Sequence, residues 1–173
     1  MLKRTFLAFL LLLPWAVTAE DSISKSLRAN WQRTKQQLVE MGEAMPEDKY
    51  GFKATPEQRT FGEQLVHLAE ANWNLMSRIA GSKPPEAGHP KTKAEILKAL
   101  AESFDFGDEV LAKLTDAAAV EALKMGAAET TRLRVAVGAM TNCYDHYGQL
   151  VVYLRLNGIV PPATARQQKA AKQ

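Results

Sequence analysis

Near its C-terminus the chain reads TNCYDHYGQLVVYLRLNGIVPP (141–162), and there Asn142, His146 and Gln149 fall at spacings of four and three in a segment that is otherwise mostly apolar. Side chains four apart on a helix are neighbours able to meet one atom. An imidazole flanked by two amides on one stripe can ligate a metal ion, hold a polar small molecule, or close a hydrogen-bond network. A second histidine, His67, lies in TFGEQLVHLAEANWNL (60–75) on a stripe with Glu63, Ala71 and Asn74, roughly opposite that segment's main apolar face. That placement argues against the principal core, and taken alone His67 reads as a structural or solvent-facing side chain before it reads as a ligand. The third and last histidine, His89, sits in the loop PEAGHPK and is expected to be solvated. Two imidazoles plus a third donor one turn away make a workable open set for borderline ions such as zinc or nickel. Cys143, the single cysteine, adjoins the stripe; in an apolar helix it reads as a small buried hydrophobe before it reads as a nucleophile.

The elements that must position these residues are four amphipathic helices. Ile23, Leu27, Trp31, Leu38 and Met41 recur on one face of a first helix, from Asp21 or Ser22 to about Met41. The stretch MPEDKYGFKATPEQ cannot continue it, because Pro46, Gly51 and Pro56 interrupt; Tyr50 and Phe52 are expected to fold back on the bundle. Thr60-Phe61-Gly62-Glu63 and Thr92-Lys93-Ala94-Glu95 each have the capping-box pattern that starts a helix. The second helix presents Phe61, Leu65, Leu68, Asn72, Leu75, Met76 and Ile79, and the third Ile96, Leu100, Phe104, Leu111 and Leu114, with Phe106-Gly107 expected to bend it. Asp116–Lys124 reads as a short helical turn followed by a break at Met125-Gly126-Ala127, and no segment reads as a strand. The longest helix, from about Thr131 to Asn157, shows a seam of Leu133, Val137, Met140, Tyr144, Tyr147, Val151 and Leu154. His146 falls on a second stripe with Val135, Ala139, Leu150 and Tyr153; Arg134, Thr141, Asp145 and Val152 face outward. Gly158 and Pro161-Pro162 are expected to end it, leaving a disordered basic tail over 164–173. The sum is an all-α four-helix bundle over 20–163.

Residues 1–19 read as a secretory signal: Lys3 and Arg4, an apolar run from Phe6 to Leu13, then Val17-Thr18-Ala19. The run is too short to span a bilayer, so cleavage after Ala19, an exported product and no integral membrane segment are expected. The chain carries 22 Lys and Arg against 19 Asp and Glu, but residues 20–165 hold 17 against 19, so the basic excess belongs to the two ends. No basic face remains to recommend nucleic acid as a partner.

TFGEQLVHLAEANWNL, followed some seventy residues later by NCYDHYGQLVVYLRLNGIVPP, resembles the DinB-like family, and the loop MPEDKYGFKATPE resembles its exported bacterial branch. The resemblance covers Asp21 to about Ala163. It implies a four-helix bundle of up-down-down-up connectivity with a divalent metal in a cleft. The family's ligands are one histidine on the second helix and an H-x-x-x-H pair on the fourth, positions that fall here on His67, Asn142 and His146. Asn142 stands where the pattern has histidine, and a neutral amide oxygen is a poor zinc or nickel ligand. Glu63 and Glu70 flank His67 and Asp145, though outward-facing, adjoins His146; these carboxylates or Cys143 could compensate, and Gln149 would hold a bound water or substrate.

Relatives include metal-dependent thiol S-transferases and a thiol-dependent isomerase, in which the metal makes a thiolate from a cytosolic thiol. An export signal counts against that cosubstrate here. The resemblance therefore implies a metal-dependent hydrolase or transferase acting on an unknown small molecule. The alternative is a non-catalytic binding or scaffold bundle in which the cleft side chains satisfy one another, as buried polar groups must. Homodimerisation through Trp31, Trp73 or an exposed bundle face is a further expectation.

Overall fold

The computed structural model describes residues 22–86 and 88–173; the signal segment and its cleavage point lie outside them. The bundle is built from α1 (Ser22–Ala44), α2 (Phe61–Ala80), α3 (Lys93–Ala112) and α5 (Arg132–Leu156). Between α3 and α5 come the short α4 (Asp116–Val120) and the strands β1 (Ala122–Met125) and β2 (Ala128–Thr131); α6 (Pro162–Ala170) follows. Both expected capping boxes form. Thr60 Oγ1 accepts from the Glu63 amide at 3.1 Å while Glu63 Oε2 accepts from the Thr60 amide, and Thr92 with Glu95 repeats the exchange. Each box satisfies backbone donors that a helix start leaves orphaned.

Cross-helix contacts give the connectivity. Asn30 reaches Met140 and Thr34 reaches Tyr144, so α1 and α5 rise together. Gly62 lies against Ile96 and Asn72 bonds Ser103, so α2 and α3 also run together. Gln64 with Gln149 and Asn72 with Cys143 set α2 antiparallel to α5, and Arg28 with Asp108 and Lys35 with Asp105 set α1 antiparallel to α3. The order is up-down-down-up. The core runs the length of the bundle and includes Trp31, Leu38, Met41, Leu65, Leu68, Met76, Leu100 and Phe104. The α1–α2 loop folds back as expected: Tyr50 Oη donates to Gly42 O at 2.9 Å, and the Phe52 ring stands edge-on to Tyr153.

Several expectations need correction. Segment 122–131 is a hairpin, with Met125 facing Ala128 across a two-residue turn. Gly126 at φ 63 takes the left-handed first position of that turn, which a hairpin of this length favours. The segment 164–173 is helical for most of its length. Pro162 occupies the first helical turn, where a missing N–H is harmless, and ATARQQKAA is rich in helix formers. Arg166 then ties α6 to Glu40 of α1. Helix α3 runs unbroken through Gly107, which takes the Trp31 indole against its bare Cα. Trp31 is fully buried with its Nε1 donating to Phe104 O at 2.8 Å, and Trp73 is 8% exposed, so neither tryptophan offers a dimer face. The exposed apolar side chains Ile23, Val137 and Tyr144 line a groove of ≈ 580 Å³ between α1 and α5 instead. Among the described residues no helix is long and apolar enough to cross a membrane.

Helix α5 buries the second stripe as expected, but only part of its apolar seam. Val137 and Tyr144 are more than 40% exposed, whereas Ala136, Ala139, Cys143, His146, Leu150 and Tyr153 are buried. Small residues let α5 approach α1 and α2 closely, and that approach carries His146 into the interior. The outward arc of Arg134, Thr141, Asp145 and Val152 is exposed as expected.

Candidate functional site

Helices α2 and α5 bring His67 and His146 together, with ring centroids 5.0 Å apart in an edge-to-face arrangement. His146 is 5% exposed and His67 half-buried. The Nδ1 of His146 is buried with no hydrogen-bond partner in the protein, and so is the Nδ2 of Asn142, one turn earlier. Beside the pair, Gln64 Nε2 donates to Gln149 Oε1 at 3.0 Å, and Gln149 Nε2 donates to Asp145 Oδ2 at 2.9 Å. This chain of amides ties α2 to α5 one turn from the imidazoles.

Both histidines are held below the usual range. Burial is the main cause for each. Next for His67 comes the Arg59 guanidinium, partly offset by Glu70; next for His146 comes His67, with Asp145 pulling upward and Arg59 downward. Neutral imidazoles are the form that binds metal. A histidine harder to protonate when folded than when unfolded subtracts stability as pH falls below about 6.5, its unfolded value. Metal-free protein is therefore expected to melt at a lower temperature at pH 5.5 than at pH 7.5, with a shallower slope in His146→Gln. Glu63 and Glu95, held low by backbone amides, act only at more acid pH. Calorimetry across that range checks it; identical slopes in the two proteins would refute the assignment.

The remaining expected site residues separate. Glu63 is spent on the Thr60 amide. Glu70 is exposed and lines a cleft of ≈ 560 Å³ with His67, Glu63 and His89, so the solvated His89 stands at the lip of the same opening. Gln149 has both amide atoms engaged and is not free to hold a ligand. Cys143 is fully buried on the core side, its thiol donating to Asn72 Oδ1 at 3.4 Å, and burial pushes it up to about 12. It is neither a nucleophile nor a ligand for this cleft. Among the described residues no group of three or more His, Cys, Asp and Glu is placed to hold a metal ion. What the fold assembles is two neutral imidazoles with the Asn142 amide one turn away. Imidazole nitrogens are suitable donors for a borderline divalent cation, whereas an amide oxygen is a weak one. Sequence reading missed Gln64 and Arg59. Gln64 could have been found from its i, i+3 relation to His67, whereas Arg59 gave no signal beyond preceding the Thr60 cap.

Residues 27–150 match the sequence model of the DinB superfamily. The chain belongs to that superfamily. Among solved structures it is similar to a DinB-like protein from Bacillus cereus, with 15% identity, TM-score 0.71, and coverage of 80% of this chain and 95% of that one. It is likewise similar to a DinB-like protein from Bacillus subtilis (17% identity, TM-score 0.66, 77% and 92% covered). A conserved protein from Enterococcus faecalis gives 17% identity, TM-score 0.63, and 77% and 95% covered. No curated protein matches in sequence. At these identities the structural likeness speaks for the DinB fold alone. Within it, His67 and His146 meet across α2 and α5, with Asn142 one turn before His146.

Proposed function

We propose that this DinB-superfamily member is an exported, periplasmic or secreted protein that binds a divalent cation, zinc or nickel by donor type, between His67 and His146. The Asn142 amide oxygen is its weak third donor. On this reading the protein is a hydrolase or transferase for a small molecule. The observation that carries it is the pairing of two neutral imidazoles 5.0 Å apart across two helices, with His146 Nδ1 buried and unpartnered. The bound ion would supply Lewis acidity that lowers the pKa of water or a thiol in the open cleft. Export favours water, because small-thiol pools are cytosolic. The protein's own part is to hold both imidazoles neutral by burial and by the Arg59 charge, and to lock α2 against α5 through Gln64, Gln149 and Asp145. A purely structural polar network fits less well. Such a network would pair His146 Nδ1 and Asn142 Nδ2, and each unpaired group costs about 1–3 kcal/mol.

Metal content by mass spectrometry, on tag-free protein beginning at Glu20, tests the reading. Near-stoichiometric metal is expected, falling to near zero in His146→Ala. Asn142→His is expected to tighten binding at least about tenfold by restoring an imidazole. Wild-type protein that takes up neither zinc nor nickel on incubation would sink the proposal.

A further inference from the structure

We infer that the small molecule received by this cleft carries an anionic group, a carboxylate or a phosphate, and that Arg59, with Lys53 and Lys91, is the subsite that takes it beside His67. The inference rests on reading the His67–His146 cleft as a ligand site; it does not require the metal.

The cations come from two separate loops. Lys53 and Arg59 lie in the segment leading into α2, Lys91 in the segment leading into α3, and all three line the ≈ 560 Å³ cleft that His67 opens into. None of the three side chains has a hydrogen-bond or ion-pair partner among the described residues, whereas Arg28, Lys35 and Arg132 on other faces do. The cleft's own carboxylates lie near enough for the charges of Lys53 and Arg59 to help hold Glu63 low, but none closes an ion pair with the three cations. Glu63 is turned to the Thr60 amide, and Glu57 and Glu70 are exposed and make no ion pair with any of the three.

Arg59 is also held in place. The buried Tyr153 of α5 donates its hydroxyl to Arg59 O at 2.6 Å and lies 3.2 Å from Gln58 Oε1, and the Phe52 ring packs edge-on against Tyr153. Thr60 then begins α2. The backbone carrying the guanidinium is thus pinned from α5, the helix that also carries His146, and the Arg59 charge acts on both imidazoles. With its backbone pinned and no hydrogen bond or ion pair on its guanidinium among the described residues, Arg59 has its donors free to face a ligand in the cleft. A planar guanidinium fork is matched by the paired oxygens of a carboxylate or phosphate. Ligand bound there would have its remaining atoms beside His67.

Inorganic phosphate and, separately, acetate would be titrated into chelator-treated full mature protein at low ionic strength and followed by ¹⁵N NMR. Saturable shifts are expected at the Arg59 side chain and the Gly62 and His67 amides. Arg59→Gln is expected to weaken binding by about tenfold or more, Arg59→Lys less, and Lys124→Gln on the distant hairpin not at all. Saturation by phosphate only, by acetate only or by both assigns the ligand class. Saturation by neither, or equal binding by wild type and Arg59→Gln, overturns the inference. If circular dichroism shows Arg59→Gln unfolded, the comparison passes to Arg59→Lys and to Lys91→Gln, and binding equal to wild type in both overturns it. Metal content measured on the same preparations separates the two claims. Anion binding without metal uptake defeats only the metal proposal, and metal uptake without saturable anion binding defeats only this one.

Discussion

At pH 7.5, Asn72→Asp is expected to cost the fold about 4 kcal/mol relative to wild type, and most of that deficit should vanish by pH 5. Asn72 lies fully buried on the apolar face of α2, where its Nδ2 donates to Ser103 Oγ at 3.2 Å and its Oδ1 accepts from Cys143 Sγ. Three helices meet through this one amide. A carboxylate there keeps the acceptor and loses the donor. Ser103 already donates to Leu100 O at 2.7 Å, and Cys143, its thiol pushed up to about 12 by burial, offers no charge. A buried carboxylate without a cation has its pKa raised by about 3 units or more, each worth about 1.4 kcal/mol. The sign follows. An acid whose folded pKa exceeds its unfolded value is fully stable only at low pH and loses stability as pH rises through the folded pKa. Urea unfolding at the two pH values, each referenced to wild type at the same pH, checks it. Asn72→Ala should lose about 2 kcal/mol at both pH values. A deficit in Asn72→Asp below about 1 kcal/mol at pH 7.5 would contradict the buried three-helix link.

Gly107→Ala is expected to destabilise the protein by about 3 kcal/mol, although alanine is the better helix former. A Cβ at Gly107 would stand 2.5 Å from Trp31 Cζ2, 2.6 Å from Cε2 and 2.7 Å from Nε1. Trp31 cannot swing aside, because it is fully buried, packed against Phe104 at 4.7 Å between ring centroids, and hydrogen-bonded through Nε1 to Phe104 O. The added methyl must therefore part α1 from α3 or break that hydrogen bond. Gly138→Ala on α5 is the control: nothing lies within 4 Å of its added Cβ, so the same substitution should stabilise by about 0.5–1 kcal/mol. Thermal melts with tryptophan fluorescence read both. A neutral Gly107→Ala with an unshifted emission spectrum would show that Trp31 does not need the bare glycine.

The success and failure of sequence reading follow the range of the interactions involved. Both capping boxes, the α2 and α3 faces and the fold-back of Tyr50 and Phe52 were legible, because a cap is a contact three residues long and a helix face is a local period. The second inward stripe of α5, Val135, Ala139, His146, Leu150 and Tyr153, was legible too, and all five are buried. The exposure of Val137 and Tyr144 was not, because which part of an apolar seam a neighbour covers is not written along one helix. The packing of Trp31 on Gly107 was not legible either, because the partner lies across the bundle, on α1. The hairpin and α6 were missed for a different reason. Two four-residue strands are too short for a clear alternation, and α6 is a polar helix whose signals are the Pro162 start and helix-forming residues rather than an apolar face.

The candidate site divides along the same line. The sequence by itself determined that His67, Asn142 and His146 occupy one turn each of two helices of a DinB bundle, since helix type and spacing are local properties. Only the tertiary structure decided that the two imidazoles meet at 5.0 Å, that Cys143 and Gln149 are committed elsewhere, and that Arg59 stands unpaired beside them. These depend on how far apart α2 and α5 sit and on the loop that Tyr153 pins between them. Those are distances set by the packing of side chains remote in the chain, and no spacing along a single helix encodes them.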